Sequence, residues 1–299
     1  MVAPAMGEVF RRDGRVAHTD GKSRPCRTWL TGTCSSEQQS GFHSNRRAMP
    51  IRTNLDDRVV IVTGSSSEIG RATAIEFGRE RAKVAVTYHS DEAGAEETAE
   101  LVREKGGEAL VVQYDLTDRD SIEAAVQEVI DRWGALDVLV NNAVPAEVEP
   151  TPLEELTVEQ WQRVVHGIQD GVFHTIRAVL PAMRQSDRGR IINISSLSAE
   201  DGSSGMAAYA TAKAGLHGLT GVLADEFGDA GILTNVVMPG MVLTERNLKR
   251  PEEVREAVAE RTPSKQISTP EDVANLVVFL SSEANGNING AVIPVTGGL

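Results

Sequence analysis

Val59-Val60-Ile61-Val62-Thr63-Gly64-Ser65-Ser66-Ser67-Glu68-Ile69-Gly70 is the stretch that decides how this chain folds. Four consecutive β-branched apolar residues read as a buried strand, the glycine-punctuated run as a tight turn, and the residues through Arg79 as a helix. That order builds a phosphate site, because the N–H groups at a helix N-terminus face an anion. Gly70 permits tight packing of helix on strand. An ordinary strand-to-helix turn has the same outline, so the meaning of the stretch depends on the rest of the chain.

From Lys83 onward, strand and helix alternate. Lys83 to Thr87, Ala109 to Tyr114, Leu136 to Val140, Arg190 to Ser195, Leu233 to Met238 and Ala291 to Val295 read as six further strands. Their apolar continuity suits a parallel sheet covered on both faces. Between the third and fourth strands Ile122, Val126, Val129 and Trp133 recur at helical spacing, behind the capping candidates Thr117 and Asp118. Right-handed crossovers then give a doubly wound α/β fold, with ligands at the C-terminal ends of the strands. No internal repeat interrupts the pattern.

Tyr209 and Lys213, in Ala-Tyr-Ala-Thr-Ala-Lys-Ala, share one face of a helix, and Ser196 lies thirteen residues before the tyrosine. A free tyrosine, with a pKa of about 10, is a poor proton shuttle at neutral pH. A fixed positive neighbour favours the phenolate and brings the side chain into working range as an acid or base. A serine at a nearby strand end can hydrogen-bond the oxygen of a bound carbonyl. Tyrosine and lysine at this spacing also occur on solvated helix faces, so the pair gains its meaning from the other motifs.

In order along the chain stand Thr63-Gly64-x-x-x-Glu68-x-Gly70, Asp115-Leu116, Asn141-Asn142-Ala143, Ser196, Tyr209-x-x-x-Lys213, Pro239-Gly240-x-x-x-Thr244 and Gly297-Gly298. This series resembles the short-chain dehydrogenase/reductase family, most of all its 3-oxoacyl-carrier-protein reductase and glucose dehydrogenase type, from about residue 54 to the C-terminus. The resemblance implies a single Rossmann-type domain with a parallel seven-stranded sheet in the order 3-2-1-4-5-6-7. It implies an NAD(P)-dependent oxidoreductase that interconverts a carbonyl and a secondary alcohol by hydride transfer, with Ser196, Tyr209 and Lys213 as the catalytic set. Cofactor contacts are implied at Gly64, Ser65, Ser66, Ser67, Ile69 and Gly70 of the turn. Others are implied at Tyr88 after the second strand, at Asp115, Leu116, Asn142 and Ala143, at Tyr209 and Lys213, and at Pro239, Gly240, Val242 and Thr244.

In this fold an acid closing the second strand bonds the ribose hydroxyls of NAD, whereas a neutral or basic end tolerates the 2′-phosphate of NADP. The chain reads Thr87-Tyr88-His89-Ser90, with Tyr88 where the family's aspartate stands and Asp91 as a helix-cap candidate, which favours NADP(H) modestly over NAD(H). Three positions depart from the family pattern. Glu68 replaces a glycine that lets the backbone approach the pyrophosphate, so its carboxylate either faces that anion or points outward. Val144 replaces the last glycine of Asn-Asn-Ala-Gly. Ile168 stands where the family has an asparagine that holds a water linked to the catalytic lysine, with Gln169 as its polar neighbour. Glu68 and Ile168 keep a second reading open: a non-catalytic or weakly active dinucleotide-binding redox sensor or structural subunit.

The chain's 299 residues carry a net charge of −13, which disfavours nucleic acid as a partner. No apolar run approaches the roughly 18 residues needed to cross a bilayer. Cys26 and Cys34 imply neither a disulfide framework nor a metal site, so a cytoplasmic enzyme is expected. The first fifty residues are rich in Gly, Ser, Arg and Thr, and lack both apolar periodicity and a secretory stretch. Residues 1–53 read as a disordered extension, or as a misassigned start ahead of Met49-Pro50, with the catalytic domain over 54–299. A substrate lid is expected near 241–262 and a rim over Val144 to Leu156. Within the lid, Arg246, Lys249 and Arg250 either meet an acidic carrier protein or form a solvated helix face among Glu245, Glu252 and Glu253. The resemblance implies a homotetramer or dimer built on long helices at Val158 to Gln185 and Ala207 to Phe227.

Overall fold

The computed structural model describes residues 52–145 and 148–299. The expectations for the N-terminal extension therefore lie outside the described residues, apart from its last two. Seven strands form one sheet: β1 (Val59–Val62), β2 (Lys83–Tyr88), β3 (Glu108–Gln113), β4 (Val138–Asn141), β5 (Arg190–Ile194), β6 (Leu233–Pro239) and β7 (Val292–Val295). Their order is 3-2-1-4-5-6-7, and every pairing is parallel. The expected doubly wound sheet is present.

Alternation along the strands explains why both faces must be covered. Val59, Ile61, Leu139 and Ile191 point to one side, where α3 (Arg119–Trp133), α4 (Val158–Met183) and α6 (Ala207–Phe227) close over them. Val60, Val62, Val138, Val140 and Ile192 point to the other, under α1 (Glu68–Arg79), α2 (Glu92–Glu104) and α9 (Pro270–Ser281). A strand buried on both faces has no room for polar alternation, which is why these segments read as unbroken apolar runs.

Helix starts follow local chemistry. Asp118 caps α3 by accepting the Asp120 N–H at 2.9 Å, while Thr117 instead hydrogen-bonds Asp115. Thr157 and Gln160 form a capping box at α4; Thr269 and Asp272 form another at α9, with Pro270 in its first turn. β4 starts two residues later than expected, because the Asp137 carboxylate is drawn to the Val59 N–H at 2.9 Å, to Arg58 and to Ser186. Three short elements complete the described residues: α5 (Ser198–Asp201), α7 (Glu245–Leu248) and α8 (Glu252–Arg261). No helix of the described residues is long and apolar enough to cross a membrane.

Candidate active site

A cleft of about 1290 Å³ opens at the C-terminal ends of the strands, running from the β1–α1 turn to the segment after β6. Gly64 turns the chain out of β1 at φ +64, and a Cβ there would lie 3.0 Å from the Ala143 Cα. At Gly70 a Cβ would lie 2.1 Å from the Gly64 carbonyl oxygen, so only glycine lets α1 rise this close behind the turn. Asn142 donates its side-chain amide to the carbonyls of Thr63 and Gly64 at 2.9 and 3.0 Å, and Thr63 Oγ1 accepts the N–H groups of Asn142 and Ala143. The Asn142 side chain thus holds the turn from below.

One expected contact is corrected. Ser65 is fully buried and does not line the cleft. Its hydroxyl donates to the Val62 carbonyl at 2.8 Å and accepts the Thr87 N–H at 2.9 Å, and its own N–H bonds Thr87 O. These bonds tie β1 to β2 and leave Ser65 nothing for a ligand. The remaining turn residues Gly64, Ser66, Ser67, Ile69 and Gly70 line the cleft, as do Tyr88, Asp115, Leu116, Asn142 and Ala143.

Glu68 lines the cleft as well, and its backbone is left-handed at φ +52. The position keeps the conformation that suits glycine while carrying a side chain, at a cost of roughly 1–2 kcal/mol. The carboxylate reaches across the cleft mouth and accepts the Arg246 N–H at 3.2 Å. At the end of β2, Asp91 is spent capping α2, accepting the Gly94 N–H at 3.0 Å. His89 Nε2 lies 3.3 Å from the Asp115 carboxylate. Burial pulls the Asp115 pKa up, but the bonds from Thr117 and the charge of His89 outweigh it and hold the group below its ordinary value.

Ser196, Tyr209 and Lys213 converge on the cleft floor. Ser196 follows β5, while tyrosine and lysine rise one turn apart on α6. Tyr209 is half-buried; burial, the largest influence, raises its pKa against opposing pulls from Ser196 and from the positive charge of Arg246. Lys213 is 2% exposed; its Nζ donates to the Ile194 carbonyl at 2.7 Å and sits 5.8 Å from the centre of the tyrosine ring. Burial lowers the Lys213 pKa to about 8. One turn beyond the lysine, His217 Nε2 lies 2.8 Å from Ser195 Oγ, and burial lowers the His217 pKa against an opposing pull from Glu200.

Ile168 is fully buried in the core between α4 and the sheet, and α4 runs through it without a break. No helix irregularity offers a carbonyl to water there. Gln169 faces α6 and donates to the Thr211 carbonyl at 3.4 Å.

Above the floor, Pro239, Gly240, Val242 and Thr244 line the cleft. Val242 bridges to Ser268, and Thr244 caps α7 by accepting the Asn247 N–H at 3.4 Å. Arg246 and Arg250 also face the cleft, whereas Lys249 does not. Sequence reading treats these charges as one solvated face, but α7 is four residues long and Pro251 separates it from α8. Arg246 therefore turns inward, its guanidinium donating to the Val148 carbonyl at 3.0 Å.

A family model described as enoyl-(acyl carrier protein) reductase matches residues 64–299. Glucose 1-dehydrogenase 2 of Bacillus subtilis is 37% identical over 248 residues, covering 82% of this chain and 96% of that protein. The 3-oxoacyl-(acyl-carrier-protein) reductase FabG of Staphylococcus aureus is 34% identical over 239 residues, covering 80% and 96%. Among solved structures, the promiscuous reductase LugOII, which catalyses keto-reduction at C1 during lugdunomycin biosynthesis, matches with TM-score 0.77 at 34% identity over 82% of this chain and 98% of that one. Levodione reductase matches with TM-score 0.76 at 32% identity, over 81% and 97%. With its seven-stranded parallel sheet and its cleft at the strand ends, the chain belongs to the short-chain dehydrogenase/reductase family of NAD(P)-dependent enzymes acting on carbonyl and alcohol groups.

Proposed function

We propose that the chain interconverts a carbonyl and a secondary alcohol on a small molecule at Ser196, Tyr209 and Lys213. The observation that carries this reading is the convergence of Ser196, Tyr209 and a fully buried Lys213 on the floor of the cleft that begins at the glycine turn, with the Lys213 Nζ 5.8 Å from the centre of the tyrosine ring. A nicotinamide dinucleotide, when bound, supplies or accepts the hydride. Ser196 donates a hydrogen bond to the substrate oxygen and fixes its orientation. Tyr209 protonates the developing alkoxide, and in the reverse direction takes the proton from the alcohol. Lys213, still mainly protonated at neutral pH with a pKa near 8, holds a positive charge behind the tyrosine and would hold the ribose of a bound dinucleotide.

The cleft fits a dinucleotide. Gly64 and Gly70 leave no Cβ in the bend, and the turn opens onto the first N–H groups of α1. Ser66, Ser67, Ile69 and Thr244 would hold the phosphates, and Leu116, Asn142, Ala143, Pro239, Gly240 and Val242 would wall the remainder. NADP(H) is the favoured form. No uncommitted carboxylate closes β2: Asp91 caps α2, Asp115 is engaged by His89 and Thr117, and Tyr88 and Ser90 are neutral. Self-association through α4 and α6 is supported by Val158, Phe173 and Val222, which are 64%, 45% and 52% exposed on those helices.

Fluorescence titration with NADPH and NADH, followed by a ketone panel under the tighter binder, tests the reading. Tighter NADPH binding with oxidation by at least one ketone is expected. Binding without oxidation across the panel would favour the redox-sensor reading, for which Glu68 in the glycine position is the supporting observation.

A further inference from the structure

We propose that Arg246 anchors an acidic group of the substrate and that Glu68 is the residue that positions it. The proposal deepens the oxidoreductase reading and rests on it. Two separate elements hold Arg246 at the mouth of the cleft. Its backbone N–H is fixed by the Glu68 carboxylate at 3.2 Å, and its guanidinium donates to the Val148 carbonyl at 3.0 Å. Among the described residues that side chain makes no ion pair and no other hydrogen bond, so most of its five donors remain available. Arg246 and Tyr209 line the same cleft.

Arg250 and Arg261 line the same cleft and likewise form no ion pair among the described residues, in a chain of net charge −13. Three arginines facing the cleft from one side can draw a small anion toward them at short range. The planar guanidinium matches a carboxylate with two parallel hydrogen bonds, which a neutral ester cannot accept in the same way. Glu68 explains itself in this scheme. Its strained backbone is retained because the carboxylate secures the start of α7, and its charge is spent on a backbone N–H rather than on the guanidinium. The substrate class is then a keto acid, or the corresponding hydroxy acid, whose acid group lies toward α7.

The test uses the full chain with NADPH and two keto acids, 3-oxobutanoate and 4-oxopentanoate, each beside its methyl ester. The readout is the ratio of kcat/KM for acid over ester. The wild-type protein should favour the acid, with a preference that shrinks as salt rises. Arg246→Gln should lower the ratio at least about tenfold, as expected for losing a charge-assisted pair. Glu68→Gly should lower it less, and Glu68→Gln, which keeps an acceptor for the Arg246 N–H, should retain it. A preference for esters, or a ratio that Arg246→Gln leaves unmoved, overturns the anchor. An unmoved ratio with dinucleotide binding weakened tenfold would assign Arg246 to the cofactor phosphates and also overturns it. Absence of turnover with every ketone brings down the oxidoreductase reading itself.

Discussion

Replacing Ile168 with asparagine separates two roles for one position. The family's asparagine supports a water behind the lysine, whereas here the isoleucine is fully buried and α4 is regular around it. Burying an isoleucine side chain contributes about 1.5–3 kcal/mol, and that is lost on substitution. An amide left there without partners costs about 1–3 kcal/mol more. The site has little freedom to relax. On either side, a Cβ at Gly167 would meet Pro145 at 2.5 Å and one at Gly171 the Leu116 carbonyl at 2.4 Å, so α4 is pressed close to its neighbours. Ile168→Asn should therefore lose about 3–5 kcal/mol, which for a domain of this size lowers Tm by roughly 10 °C. Ile168→Val should lose only about 1 kcal/mol. Calorimetry and steady-state turnover on the same preparations check this. A Tm within about 2 °C of the parent, or a rise in turnover, would refute the packing argument and show that α4 opens to water at this turn.

Tyr209→Phe should reduce turnover by about 10²–10⁴-fold while dinucleotide binding stays within a few-fold, since only the proton is removed; a small loss moves the chemistry elsewhere. At Glu68, Gly should be more stable than Ala by about 1 kcal/mol, or roughly 2–4 °C in Tm, because alanine keeps the left-handed strain and glycine releases it; equal melting would mean the backbone is not left-handed. Lys213 gives a pH signature: the unfolded chain holds that proton up to about 10.5, the native protein only to about 8. The unfolded state binds more protons in between, so this group makes stability rise with pH from about 8 to 10. Above about 10 the raised Tyr209 pKa acts in the opposite sense, since the native state then keeps the proton longer. Lys213→Met should flatten the rise in urea denaturation midpoints across pH 7–10, and an unchanged slope would refute its origin in this lysine.

The sheet was legible because a strand buried on both faces is largely apolar, as β1 and β4 are, while the outer β3 and β7 are only partly buried. α3 was legible from the apolar spacing of Ile122, Val126 and Val129 behind Asp118, whereas α4 and α6 were expected from the family resemblance and fall at Val158–Met183 and Ala207–Phe227, within two residues of that expectation. The shared face of Tyr209 and Lys213 was legible because a four-residue spacing on one helix carries geometry with it, whereas Ser196 comes to the same cleft from the end of β5. Ser65 was not, since nothing in a run of three serines tells which hydroxyl turns inward to bond β2. The inward placement of Arg246 was also hidden. It depends on a four-residue helix broken by Pro251, and on a contact between residues 68 and 246 that no local pattern announces. The left-handed backbone at Glu68 was half legible: the family's glycine marks the conformation, but the sequence does not tell where the carboxylate goes.

Hydride transfer to a carbonyl in this cleft, under acid catalysis by Tyr209, leaves an isotopic trace. NADPH deuterated at the transferring C4 position is incubated with a ketone panel, and the products are analysed by mass spectrometry. The wild-type protein should place one deuterium on the carbinol carbon of at least one product, and Tyr209→Phe should do so at least about a hundredfold more slowly. Dinucleotide binding with no deuterated alcohol from any ketone, or equal deuterium transfer by both proteins, would contradict the assignment.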